Sequence, residues 1–390
     1  MTKVNKENWE YRKIGDLCTV ISGSTPKTNI EEYWGPGYYW VTPAELGEGI
    51  YIDKTERMIT DEALKHTHLT LLPEGTVLLS SRAPIGKVAI TTVPMYCNQG
   101  FKNMVCSKDI YNKYLYWFLK HKTEYLQSLG RGATFKEISK KIVENIEVTY
   151  YNFNKQKRIA ALFDIIDNLI TIKQKQLKEF DALEQSVFYK MFQNDEKILT
   201  KKLVDIAEVG SSRRVFASEF VSEGVPFYRG TEISMLSIGQ KFRPTLYITS
   251  QRYEELIKVK GKPVIGDLLL PSICNDGKIW VVNTDNPFYI KDGRVLWIHP
   301  KDKAITDSFY LKYVIKFYLI NNFHKLASGP TFAEMKIFNL KKIPVPLPPL
   351  SLQQSFAQKI EVIEKQKEVV KNEIAQLQAL LDSEMDKYFG

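Results

Sequence analysis

Two stretches of this chain keep one pattern of apolar and polar positions. Phe163, Ile166, Ile170, Lys173, Leu177, Phe180, Glu184, Val187 and Met191 recur in alternating steps of three and four. Phe356, Ile360, Ile363, Lys367, Val370, Ile374, Leu377, Leu381, Glu384 and Tyr388 do the same. That is the a/d seam of a coiled coil, with two charged interruptions in each. Both stretches, 155–193 and 351–389, lack Gly and Pro. The pattern therefore predicts two long helices; about 37 residues at 1.5 Å each span roughly 55 Å. Ser351, with Gln354 at capping-box spacing, is expected to cap the second. An antiparallel pair centred on Leu177 and Ile374 would set Glu184 opposite Lys367, a polar interruption meeting its opposite charge. The alternative is two amphipathic helices, each packing on its own domain.

The rest of the chain repeats as well. Gly132-Ala133-Thr134-Phe135 returns as Gly329-Pro330-Thr331-Phe332, 197 residues on. At that offset the seams coincide, Gln156 falls on Gln353 and Phe192 on Phe389. Upstream, Trp40 to Leu46 parallels Phe227 to Ile233, and Gly86-Lys87-Val88 parallels Gly277-Lys278-Ile279. A period this long means a duplicated domain with its connector. Val77–Ser80, Val88–Ile90, Ile279–Val282 and Val295–Ile298 are predicted strands. Tyr114–Leu129 and Tyr310–Ala327 are predicted aromatic helices. The expected fold is α+β. Two homologous α/β domains, 1–150 and 196–349, alternate with helices at 151–195 and 350–390. The helices would pair antiparallel, and the halves would be related by a pseudo-twofold axis.

Composition adds a partner class. Hydrophobic residues make up 44% of the 390, enough for real cores, and the net charge is +9 with a pI near 9.0. That ranks a polyanion first among partners. Cys18, Cys97, Cys106 and Cys274 form no CxxC pair, so a disulfide framework or a cysteine zinc site is not expected. The first residues carry no apolar core of signal-peptide length, and no stretch approaches the roughly 20 apolar residues of a membrane span. A soluble cytoplasmic protein is the expectation. His66 and His68 lack further metal ligands nearby, and no GxxxxGK[ST] loop occurs. Asn286-Pro287-Phe288 lacks the second proline of an adenine-methyltransferase motif and reads as a turn.

Two diverged domains on a rigid spacer suit a two-part DNA target, and here the chain resembles a known family. The run Gly329-Pro330-Thr331-Phe332, then Leu340 to Leu350, then Gln353-Gln354, is similar to that of specificity (S) subunits of Type I restriction-modification systems. So are Ser80 to Lys87 and Asn98-Gln99-Gly100-Phe101. The resemblance covers the whole chain, although Glu147 to Asn154 lacks the prolines of Pro344 to Leu350. Pro271 to Asp276 likewise departs from the Ser-Arg-Ala-Pro loop. It implies a non-catalytic subunit that reads double-stranded DNA at two sites. It also implies two methyltransferase (M) subunits and restriction (R) subunits as partners. S-adenosylmethionine would belong to M, ATP and Mg to R, and no cofactor to this chain.

Basic and amide residues in loops bridge most readily to phosphates and base edges. The first domain offers Thr25, Lys27, Arg82, Lys87, Asn98, Gln99, Lys102 and Arg131. The second offers Ser212, Arg213, Arg214, Arg229, Ser272, Asn275, Lys278 and Lys291. Thr134 and Thr331, repeated in both halves, suit a shared task. Apolar residues off the seam, Ile159, Leu162, Ile165 and Leu169, are candidates either for docking M or for packing on the recognition domains, and sticky seams could give a homodimer of the isolated chain. Three other readings remain open: a specificity subunit of a methylation-only complex, a self-contained nuclease, and a structural adaptor.

Overall fold

The computed structural model describes residues 9–47, 49–132, 136–192, 198–274, 276–328 and 334–390. The chain forms two compact units. One comprises Met1–Lys175 with Val370–Gly390, the other Gln176–Val369.

The first unit holds a five-stranded sheet in the order Cys18–Ser22, Lys102–Cys106, Val77–Leu79, Val88–Thr91, Tyr51–Ile52. The Val-Leu-Leu strand is central and buried throughout, which is why it reads as a continuous apolar run rather than an alternating one. A second sheet joins Met58–Ile59, Trp34–Val41 and Tyr96–Cys97. The second unit repeats the plan with two four-stranded sheets. One runs Ala207–Gly210, Val295–Pro300, Leu268–Pro271, Trp280–Val281; the other Phe220–Val221, Tyr247–Ile248, Val225–Tyr228, Tyr289–Ile290. The predicted aromatic helices are present. The first breaks into Asn112–His121 and Thr123–Ser128, the second is one helix, Ser308–Leu326.

The two long helices are Phe153–Phe192 and Leu350–Phe389, 40 residues each. Each unit takes the early part of one and the late part of the other, so the helices are not bodies of their own. Within each unit they run antiparallel. In the first, the rings of Phe163 and Phe389 lie 5.5 Å apart and Lys173 meets Glu373 at 2.8 Å. In the second, Phe356 lies 5.3 Å from Phe192, and Lys367 Nζ donates to Glu184 Oε1 at 2.7 Å. The predicted charge pairing is thus present.

The seam shifts at its ends. Phe188, Phe192, Met385 and Phe389 are the buried residues there, while Val187, Met191 and Tyr388 are only half-buried. A straight helix drifts about 20° per heptad against a 3.5 repeat, and the aromatic helix of each unit draws the adjoining residue inward. Phe389 packs edge-on against Tyr114 at 5.4 Å, and Phe192 against Tyr310 at 5.0 Å. Two other expectations are resolved. Ile159 is core and Leu162 packs against it, so of the four docking candidates only Ile165 and Leu169 are exposed. Ser351 lies inside the second helix, which starts at Leu350.

Gln353, not Gln354, secures that start. It is fully buried; its Oε1 accepts from Asp307 N, and its Nε2 donates to the carbonyls of Ile305 and Pro348, all at 2.9 Å. Gln156 repeats the clasp in the first unit. Its Oε1 accepts from Tyr111 N at 2.7 Å, and its Nε2 donates to Asp109 O at 3.0 Å and Tyr151 O at 2.7 Å. One amide thus ties three backbone groups, on two loop segments, to each helix start.

The charges in the second unit form a cluster. Lys367 also meets Asp181 at 2.8 Å, Lys316 holds the other Glu184 oxygen at 2.9 Å, and Tyr313 donates to Glu364 at 2.8 Å. Burial alone would push the Glu364 carboxyl up. Lys367, the Tyr313 hydroxyl and Lys316 outweigh it and hold it down at about 2, against an ordinary value of 4.5. A depressed carboxylate contributes stability above its unfolded value and loses it as pH falls toward its folded value. The urea midpoint of the second unit should therefore drop between pH 4.5 and about 2, and Lys367→Met should flatten that limb.

Candidate nucleic-acid interface

A shared backbone frame builds the same loop cluster in each unit. In the first, Trp34–Val41 runs parallel to Tyr96–Cys97, so the chain leaves both strands at one end. Thr42 donates from its N–H and its hydroxyl to Glu45 at 2.7 Å each. Asn98 N donates to Val41 O at 3.0 Å, Ser81 N to Gly100 O at 2.7 Å, and Ile138 N to Ser81 O at 3.0 Å. The loop after Cys18–Ser22 joins through Ser24 N to Cys97 O at 2.9 Å. Gly23 must be glycine there, because a Cβ would overlap the Asn98 carbonyl.

In the second unit, Val225–Tyr228 runs parallel to Tyr289–Ile290. Arg229 N donates to Glu232 at 2.8 Å. Lys291 N donates to Tyr228 O at 2.9 Å, Ser272 N to Arg294 O at 2.9 Å, and Met335 N to Ser272 O at 2.7 Å. These bonds match the two units position by position. Glu45 corresponds to Glu232, Ser81 to Ser272 and Glu137 to Glu334, and these residues keep their type. The positions between them do not. Thr42 becomes Arg229, Arg82 becomes Ile273, Asn98 becomes Lys291 and Gly100 becomes Arg294.

The candidates sort accordingly. Thr25 and Gln99 hydrogen-bond through their side chains beside Asn98, and exposed Lys27 lies on the same loop as Thr25. Arg82 Nε stands 3.5 Å from where a Cβ on Gly100 would lie, and the backbones of Arg82 and Arg131 each form a β-bridge with that of Glu137. Ser212 donates to Ile290 O at 2.5 Å, Arg213 N to the Tyr289 hydroxyl at 3.0 Å, and Arg214 pairs with Asp292 at 3.2 Å. Arg229, Lys291 and Arg294 line a groove of about 480 Å³ over Ser272 and Ile273. Burial alone would push Glu232 up, but hydrogen bonds from the Arg229 guanidinium and backbone hold it below its ordinary value.

Four candidates are engaged within the fold. Lys102 is buried, its ammonium on Glu137 at 3.0 Å. Lys87 spends its ammonium on the carbonyls of Pro43 and Leu46, at 3.2 and 2.9 Å. Ser272 is buried frame. Lys278 pairs with Asp276 at 2.7 Å, in a turn whose Gly277 abuts Lys316 of the aromatic helix. Asn275, Thr134 and Thr331 lie outside the described residues. Arg294 was missed, because aligning Asn98 with Lys291 sets Gly293 on Gly100, and only the backbone bonds match Arg294 to it. Arg57, stacked 3.7 Å over Trp34, was missed too, since two distant aromatics give no local signal.

Among the described residues, no group of three or more His, Cys, Asp or Glu could hold a metal ion. No helix there is long and apolar enough to cross a membrane. Phe288 of Asn286-Pro287-Phe288 is buried against Trp280 and Tyr228, a core residue after a turn.

Two homologous units with matched frames and unlike loop residues define a duplicated recognition protein. The Type I restriction modification DNA specificity domain matches residues 6–181 and again 196–379, and the chain belongs to that family. It is thus of the specificity-subunit class, which recognises DNA and is non-catalytic. It is 36% identical to the Type I restriction enzyme MjaIX specificity subunit of Methanocaldococcus jannaschii, over 57% of each chain. It is 24% identical to that organism's MjaVIII specificity subunit, over 95% of this chain and 90% of the other. The fold matches a Type I S subunit from M. genitalium with a TM-score of 0.57 at 17% identity, covering 100% and 98% of the chains. It also matches a chain from a study of complex assembly and conformational transition in the type I R-M system. There the TM-score is 0.63 at 17% identity, over 98% of both.

Proposed function

We propose that each unit reads one half of a bipartite double-stranded DNA target, in the cytoplasm, and that the chain brings M and R subunits to it. The duplicated frame carries this reading: identical supports display different side chains at four matched positions. Two unlike half-targets require that combination. Thr42, Arg82 and Asn98 would read one half, with Thr25, Lys27, Gln99 and Arg131 beside them. Arg229, Lys291 and Arg294 would read the other, with Ser212, Arg213 and Arg214 beside them. Guanidinium forks suit guanine edges and phosphates, and amides suit adenine. S-adenosylmethionine would be supplied by M, ATP and Mg by R, with no cofactor on this chain.

The helices support two equivalent M partners. Ile165 and Ile172, seven residues apart on one helix face, are both exposed. Their repeat counterparts Val362 and Val369 are exposed as well. Solvent alone gives no reason to duplicate an exposed apolar pair.

Arg213→Ala with Arg214→Ala tests the DNA reading, in the complex with M. Loss of two phosphate contacts should weaken binding by about 1–3 kcal/mol and flatten the salt slope by about 2. Unchanged affinity and slope would remove those residues from the interface.

A further inference from the structure

The buried Glu184–Lys367 pair has no ionic counterpart in the first unit. Across the 197-residue repeat Glu184 becomes Leu381 and Lys367 becomes Ile170, both buried in that unit's core. Asp181 becomes Gln378. Lys316 becomes Lys120, since the aromatic helices start at Ser308 and Asn112, one residue short of that offset. Lys120 reaches Asp167 at 3.7 Å, on the long helix beside it. One architecture is therefore closed by a buried ion pair in one unit and by two aliphatic side chains in the other.

We propose that this asymmetry selects the pairing partner of each long helix: it admits the first helix against the second and rejects a second copy of this chain pairing like with like. The apolar seams cannot make that choice, because both helices carry them in the same register. If the second helix met its own copy, Lys367 would face Leu381 and Gln378 instead of Glu184 and Asp181, a buried ammonium left with only Glu364 of its own helix, at 3.6 Å. If the first helix met its own copy, Glu184 would face Ile170 in place of Lys367, and Lys173 would fall opposite Asp181 instead. A buried charge without its partner is costly, whereas an aliphatic pair at the same place is often neutral or stabilising. The ion pair thus contributes discrimination more than stability.

Ile374 stands at the centre of the second seam, so it would meet its own counterpart in a like-with-like antiparallel pair. The full-length chain carrying Ile374→Cys is compared with the same chain carrying Glu184→Leu and Lys367→Ile in addition. Both are refolded at high concentration under oxidising conditions, and the 374–374 cross-link is mapped by mass spectrometry. We expect monomer from the first and about tenfold or more cross-linked dimer from the second, which should melt no earlier than wild type. Because Lys316 loses Glu184 in that variant, a further chain adds Lys316→Met, with the same expectation. Equal cross-linking in all chains, or none in the folded aliphatic variants, would overturn the proposal.

Discussion

Lys367→Glu should be the most damaging single substitution in the second unit. It would place a new carboxylate beside Glu184, which is fully buried, and beside Asp181 and Glu364. Breaking a buried pair costs about 3–5 kcal/mol, and a like charge in the gap adds to that. Burial alone would lower the Lys367 ammonium, but the hydrogen bonds it donates to Asp181 and Glu184 hold it above its ordinary value, so it stays charged throughout the working range. The reciprocal variant, Glu184→Lys with Lys367→Glu, should recover most of the loss. It should not recover all, because Lys316 would then face a second ammonium in place of the Glu184 carboxylate. Equilibrium denaturation of the four proteins gives the coupling directly. Simple additivity of the two reversals would mean that the contact does not hold the helices.

Removing either clasp should rank next. Gln353→Leu keeps the side-chain volume but strips partners from Asp307 N and from the Ile305 and Pro348 carbonyls. Gln156→Leu does the same to Tyr111, Asp109 and Tyr151. Each unsatisfied buried group costs about 1–3 kcal/mol, so about 4 kcal/mol is expected from either change. Hydrogen exchange should localise the loss, around Asp307 in one variant and around Tyr111 in the other. Surface-like effects well under about 1 kcal/mol would show that ordered water replaces the amide.

The helices, the duplication and the Glu184–Lys367 contact were legible in the sequence, because heptad spacing and a fixed offset are local or countable. The seam's ends were not. Whether Val187 or Phe188 faces inward depends on Tyr310 and Phe317 of the aromatic helix, more than 100 residues away. The loop residues were legible only in part. A lysine reads alike whether its side chain stands in solvent, as that of Lys291 does, or is buried with its ammonium on a carboxylate, as that of Lys102 is. The choice is made by strand pairing: Lys102 opens the strand opposite Ser22 and points at Glu137. Arg294 escaped because the frame places it where the first unit has glycine, and a glycine announces nothing about its counterpart.

The most direct test of two-part recognition is methylation-aware sequencing of host DNA with this gene intact and deleted. We expect N6-methyladenine to vanish from one split motif, two short halves with a fixed gap, and to persist elsewhere. An unchanged methylome, with the M partner shown to be expressed, would contradict it.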